Sequence, residues 1–142
     1  MRIIIFEQDY SDINTIHNAI KNLALLNKYT IHQVLTTRKQ DSILHYLQQY
    51  KADSYFISIT NNDPSTFELA RQIRALDPTG QITLIADEET INMHTLAQQI
   101  AATNIITKYT KGTLACDVEV AFEEHYTNFE DPKTMIHYSI VS

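Results

Sequence analysis

The stretch Ser54-Tyr55-Phe56-Ile57-Ser58-Ile59-Thr60 decides how this chain is read. It is short, aromatic and β-branched, and the polar run Asn61-Asn62-Asp63-Pro64 follows it. Those features predict a buried β-strand closed by a loop. Tyr55 to Ile57 is apolar without alternation, so both faces of the strand are covered, as in a parallel sheet between two layers of helices. Such a strand delivers its last residues to the carboxyl edge of the sheet, where α/β domains place their sites. Ser58 stands at that point.

On the N-terminal side, Ile3 to Phe6 is a second continuous apolar run and reads as the first strand, with Glu7-Gln8-Asp9 at its carboxyl end. Ser11 is the candidate cap of a helix whose face is Ile13, Ile16, Ile20 and Leu23, ending at Asn27 and Lys28. Tyr29 to Leu35, with Ile31 and Val34, reads as the second strand. Thr37-Arg38-Lys39-Gln40 has a capping-box pattern and opens a helix with Ile43, Leu44 and Leu47 inward. On the C-terminal side, Ser65 to Glu68 repeats that pattern, with Leu69, Ile73 and Leu76 as the buried face. Asp77-Pro78-Thr79-Gly80 stops the helix. Ile82 to Ala86 is a fourth strand, and Met93, Leu96, Ala97 and Ile100 mark the next helix. Asn104 to Ile106 is a fifth strand with Lys108 just past it. A last helix spans about Thr113 to Tyr126, with Leu114, Val118, Ala121 and Phe122 inward.

Five βα units predict an α/β fold: a doubly wound, five-stranded parallel sheet of flavodoxin-like order 2-1-3-4-5 with right-handed crossovers. Its switch point lies between the first and third strands, where Glu7, Gln8 and Ser58 meet. This domain takes residues 1–127. Residues 128–142 read as a linker around Pro132, followed by a strand-like alternation through Ile136, Tyr138 and Ile140. That segment either adds to a sheet edge or opens a following domain.

Composition narrows the function. The 142 residues are 44% hydrophobic with a formal charge of −6. That balance fits one domain with a full core and disfavours a surface that grips nucleic acid. Cys116 is the single cysteine, which excludes an internal disulfide and a CxxC metal site and fits a reducing, cytoplasmic setting. No apolar run reaches the roughly 18 residues of a membrane span. Gly80 and Gly112 are the only glycines, so no Gly-rich turn follows the first strand and a dinucleotide or flavin site is disfavoured. The six histidines form no HxH, HExxH or i, i+4 pair and read as surface or core-edge residues. Ser58 lacks a GxSxG elbow and any local base, and Cys116 lies beside Asp117, so neither reads as a nucleophile. Asp117, Glu119, Glu123 and Glu124 form an acidic helix face, solvated or used by a partner. Tyr46, Tyr50, Tyr109 and Tyr126 read as half-exposed.

Taken in order, these motifs resemble a response-regulator receiver domain, and more closely the receivers of LytTR-class quorum-sensing and competence regulators. The carriers are Ile3-Ile4-Ile5-Phe6-Glu7-Gln8-Asp9, Tyr55-Phe56-Ile57-Ser58-Ile59, Gln72-Ile73-Arg74-Ala75-Leu76-Asp77-Pro78-Thr79-Gly80-Gln81-Ile82 and Ala101-Ala102-Thr103-Asn104-Ile105-Ile106-Thr107-Lys108. The resemblance implies a phosphoacceptor aspartate where this chain has Ser58, two Mg²⁺-holding acids at Glu7 and Gln8, a hydroxyl at Ala86 and an aromatic switch residue at Ile105. Only Glu7 and Lys108 keep the expected type. Phosphoryl transfer to a receiver needs a carboxylate nucleophile and a divalent cation. The chain is therefore expected to be a degenerate pseudo-receiver that is not an enzyme, with Mg²⁺ binding lost and Lys108 pairing with Glu7.

The same resemblance implies a regulatory and dimerisation domain that meets DNA only through a following LytTR-type domain. Its partner is a second copy or another regulator protein, and no membrane is involved. The expected interface draws on residues 90–103 and 110–126: Met93, His94, Gln98 and Lys111 beside Asp117, Glu119, Glu123 and Glu124. Two alternatives stay open. One is a small-anion sensor built on Ser58 and Lys108; the other is a receiver phosphorylated at an atypical aspartate, Asp9 or Asp63.

Overall fold

The computed structural model describes residues 1–108 and 112–131. The elements are β1 (Arg2–Phe6), α1 (Tyr10–Asn27), β2 (Gln33–Thr37), α2 (Gln40–Leu47), β3 (Ser54–Ile59), α3 (Ser65–Leu76), β4 (Gln81–Ala86), α4 (Ile91–Gln99), β5 (Asn104–Thr107) and α5 (Leu114–Glu130). All strand pairs are parallel, and the sheet order is β2-β1-β3-β4-β5, as the βα alternation predicts. Every residue of β3 is buried. Its side chains alternate between two cores, as the two-residue period of a strand requires. Tyr55, Ile57 and Ile59 enter the core beneath α2, α3 and α4, while Phe56 enters the core beneath α1 and α5.

Local chemistry moves several expected boundaries. Asp9, not Ser11, caps α1: its carboxylate accepts the Asp12 N–H at 2.9 Å. β2 begins at Gln33 instead of Tyr29, because Tyr29 turns inward to stack on Tyr126 with ring centroids 3.9 Å apart. That stacking buries Tyr126, which the sequence reads as half-exposed. Neither capping box forms. Thr37 Oγ1 accepts the Lys39 N–H, Lys39 itself is the cap of α2, and Asp63 accepts the Ser65 N–H at the start of α3. Leu76 is exposed, because the chain turns after it to bury Asp77. α5 runs to Glu130, so it continues past Tyr126 and across position 127. The strand-like segment from Met135 and the expected roles of Tyr109 and Lys111 lie outside the described residues.

The turn between α3 and β4 is fixed by a buried polar clamp. Asp77 accepts the Tyr55 hydroxyl at 2.5 Å and the backbone N–H groups of Thr79 and Gly80. Arg74 donates to the carbonyls of Asp77, Gly80 and Ile100. A Cβ on Gly80 would lie 2.4 Å from the Tyr55 ring and 2.7 Å from the Asp77 carboxylate, so only glycine permits the clamp. Burial, followed by the Asp77 hydrogen bond, raises the Tyr55 pKa well above the ordinary phenol value.

Candidate functional site

The parallel register carries the chemistry-bearing residues to one place. Phe6 pairs with Ile57, so Glu7 and Ser58 emerge side by side at the carboxyl edge. Ala86 pairs with Thr107, so the next residues, Asp87 and Lys108, are neighbours across β4 and β5. Helix α1 starts above the same edge and adds Asp12 from its first turn. Glu7, Ser58, Asp87 and Lys108 border a cleft of about 270 Å³ that also includes Gln8, Asp9, Asp63 and Thr66.

Glu7 is the hub and is buried. One carboxylate oxygen accepts the backbone N–H groups of Gln8 and Asp9, at 2.7 and 3.2 Å. The other accepts the Ser58 hydroxyl at 2.8 Å and the Lys108 ammonium at 2.6 Å. Lys108 also reaches Asp12 at 3.0 Å and Asp87 at 3.3 Å, so its three protons face three carboxylates. Burial alone would depress the Lys108 pKa; hydrogen bonds and charge from Glu7, then Asp12, overcome that and raise it above the ordinary lysine value. The ion pair between Lys108 and Glu7 expected from the sequence is therefore present, extended by two acids that were not expected.

Ser58 does have a base within reach, contrary to the expectation from its neighbours in sequence. Glu7 accepts a hydrogen bond from its hydroxyl, but the same oxygen is held more closely by Lys108, and Ser58 is itself buried. The two candidate alternative acceptors are occupied locally. Asp9 caps α1. Asp63 accepts the Ser65 hydroxyl at 2.6 Å, which together with the Gln8 side chain holds its carboxyl below the usual range. Gln8 also anchors the rim through its carbonyl, which accepts from Arg38 Nε at 2.7 Å, while Arg38 lies over the Tyr10 ring. Ala86 is buried at the end of β4 and Ile105 is half-buried on β5 against the α4 side.

The expected interface residues divide. Met93 is buried in the core beneath α4 and is removed from the surface set: at positions 93, 96 and 97 the helix faces the sheet. His94 and Gln98 are exposed, with His94 Nε2 2.8 Å from Glu89. Asp117 and Glu119 are half-buried, and Glu123 and Glu124 are exposed. Glu124 accepts from Asn104 at 2.9 Å. Ile91 and Val120, which the sequence reading passed over, are strongly exposed on α4 and α5.

A second polar cluster lies at the opposite, amino edge of the sheet. His125, read from sequence with the surface or core-edge histidines, is wholly buried. Its Nδ1 lies 2.6 Å from Ser54 Oγ and its Nε2 lies 2.9 Å from Thr83 Oγ1. Thr83 Oγ1 also bonds Asn104. Position 125 falls three and four residues from Phe122 and Ala121, so helical period alone places it on the inner face.

No protein-family model and no curated protein matches the chain. Solved structures do. The response regulatory domain of protein mrkE from Klebsiella pneumoniae superposes with a TM-score of 0.70 at 19% identity, over 92% of this chain and 98% of that one. A phosphorylated cyanobacterial phytochrome response regulator gives 0.70 at 20% identity, over 90% and 94%. A response regulator from Thermotoga maritima gives 0.68 at 13% identity, over 89% and 97%. At such identities the likeness speaks to architecture, which agrees with the strand order and helix placement: this chain has the CheY-like receiver fold of response regulators.

Proposed function

We propose that the chain is a pseudo-receiver: a phosphorylation-independent regulatory domain of a two-component-type transcriptional regulator, of the LytTR class that its motifs resemble. One observation carries the reading. Lys108, the cation a receiver pocket would turn toward a phosphoryl group, is bound by Glu7, Asp12 and Asp87, while a serine occupies the acceptor position and donates to Glu7. The donor set also fits Mg²⁺ poorly. Both Glu7 oxygens are engaged by protein donors, Gln8 is neutral, and Mg²⁺ demands near-octahedral oxygen ligation. The anion-sensor alternative is disfavoured because three carboxylates surround Lys108, the one cation lining the cleft among the described residues. The test is incubation with acetyl phosphate and Mg²⁺, followed by intact mass. The unmodified mass is expected, and a stoichiometric, base-labile phosphate adduct would defeat the proposal.

A domain without a phosphoryl switch acts through a fixed surface. We place that surface on α4, β5 and α5, where Ile91 and Val120 are exposed beside His94, Gln98, Glu123 and Glu124. A twofold dimer there is isologous, so each patch meets its own copy. Sedimentation equilibrium is expected to show a dimer that Val120→Glu weakens by about tenfold or more, since it sets an extra charge at an apolar contact. Because Val120 is 68% exposed, the monomer should melt unchanged. A wild-type chain that stays monomeric at high concentration would point to another regulator protein as the partner.

A further inference from the structure

The face opposite β5 is chemically unlike the rest of the molecule. From Ile13 to Lys39 the chain has no Asp or Glu, yet it carries Lys21, Lys28, Arg38 and Lys39, in a protein with 17 acids and 11 bases. That stretch folds into α1 and the edge strand β2, whose outer side pairs with no strand among the described residues. Between them runs a groove of about 370 Å³ floored by Tyr29, Ile31 and Val34 and rimmed by Leu25, Lys21 and His17. Leu25 is 70% exposed and the adjacent Leu26 79%. Neither Lys21 nor Lys28 makes an ion pair among the described residues.

Edge strands are ordinarily guarded by charge, proline or a bulge. β2 is Gln33-Val34-Leu35-Thr36-Thr37, with none of the first two and an unbroken register against β1. An open edge beside an apolar groove is the geometry for adding an extended peptide, whose backbone pairs with the edge while alternate side chains enter the groove. The basic rim selects its charge. We propose that the α1–β2 groove docks an extended segment of a partner protein in which acidic and apolar residues alternate. The apolar side chains would lie on Tyr29, Ile31 and Val34, and the acids would face Lys21 on the rim and Lys28, exposed at the end of α1 beside Tyr29. Charge complementarity separates this occupant from the chain's own residues 132–142, which contain no acid and one lysine.

The test titrates the isotopically labelled full chain with a capped nonapeptide of alternating Glu and Val, using a Lys–Val peptide as control. Amide shifts are expected along Gln33–Thr37 and the second half of α1. Affinity should fall about tenfold between about 50 and 300 mM NaCl, and by a similar factor in Lys21→Glu, because rim charges act through screened attraction. Leu25→Asp should abolish binding. Both residues are exposed, so unchanged melting checks the fold. The proposal is overturned by any of four results. They are absence of shifts on β2, equal binding of the Lys–Val peptide, binding seen only after truncation following Asp131, or the same shifts appearing with protein concentration alone. The third would assign the groove to the chain's own C-terminal residues and the fourth to a second copy.

Discussion

Lys108→Met is expected to be among the most damaging single substitutions in the molecule. Removing the ammonium leaves Glu7 buried as a charge with no cation, and brings Asp12 and Asp87 to bear on it without a mediator. Breaking a buried pair from one side costs about 3–5 kcal/mol, because the surviving charge stays desolvated. For a domain of this size that lowers Tm by roughly 10 °C. Removing the second partner should restore part of the loss, so Glu7→Gln combined with Lys108→Met is expected to exceed the stability of Lys108→Met alone. Urea unfolding of the two single variants and the double gives the coupling, expected above about 1 kcal/mol for residues in direct contact. If Lys108→Met unfolds at the wild-type urea concentration, the cluster is not what holds the carboxyl edge together.

That cluster shows where the sequence was legible and where it was not. Glu7, Ser58 and Lys108 could be placed together because each follows or ends an apolar strand, and strand ends in a parallel sheet share one edge. Asp12 and Asp87 escaped notice for two different reasons. Asp12 looks like an ordinary acid in a helix first turn, favoured there by the helix dipole, and only the angle of α1 over the sheet aims it at Lys108. Asp87 sits in an acidic loop with Glu88 and Glu89, where composition gives no reason to choose one acid over another. The register of β4 against β5 does choose it, and that register is a tertiary fact.

Strand order followed from the βα alternation, because chirality and connection rules leave few ways to wind five such units. The element ends were harder. Asp9 outcompeted Ser11 as the cap because its carboxylate, two residues earlier, accepts the Asp12 N–H and starts the helix before Ser11 is reached. Tyr29 left the strand for an aromatic stack that no local pattern announces. Leu76 and Met93 show opposite errors of one kind. The first keeps the apolar period but falls where the helix ends. The receiver resemblance puts the second at the surface, whereas its spacing with Leu96 and Ala97 marks the core face.

The misread histidine leads to the other large expected effect, a loss of stability in mild acid. His125 is fully buried on α5, facing Ser54 from β3 and Thr83 from β4, with the Phe56 ring 5.0 Å away. Among the described residues no carboxylate is a hydrogen-bond partner of its ring. Burial therefore favours the neutral ring and pushes its pKa down to about 3. In the unfolded chain the imidazole titrates near 6.5. Between those values the unfolded state holds the extra proton, so stability is complete above about pH 6.5 and falls as the pH drops toward 3. From pH 7.5 to pH 5 the loss is about 2 kcal/mol, a sizeable share of the 5–15 kcal/mol typical of a domain. The window is informative because carboxylates contribute mainly below about pH 5. The raised pKa of Lys108 acts far outside it: that stabilisation is whole below the unfolded value of 10.5 and is lost only as the pH rises through the folded one. His125→Gln keeps a donor and an acceptor for Ser54 and Thr83 without a titrating ring. It should be less stable at neutral pH by about 1–3 kcal/mol, from imperfect replacement of two buried hydrogen bonds, yet nearly flat between pH 7.5 and 5. Urea unfolding at half-unit pH steps, followed by circular dichroism, compares the two slopes. A wild-type midpoint that does not move across this range, or a variant with the same slope as wild type, would remove His125 as the cause.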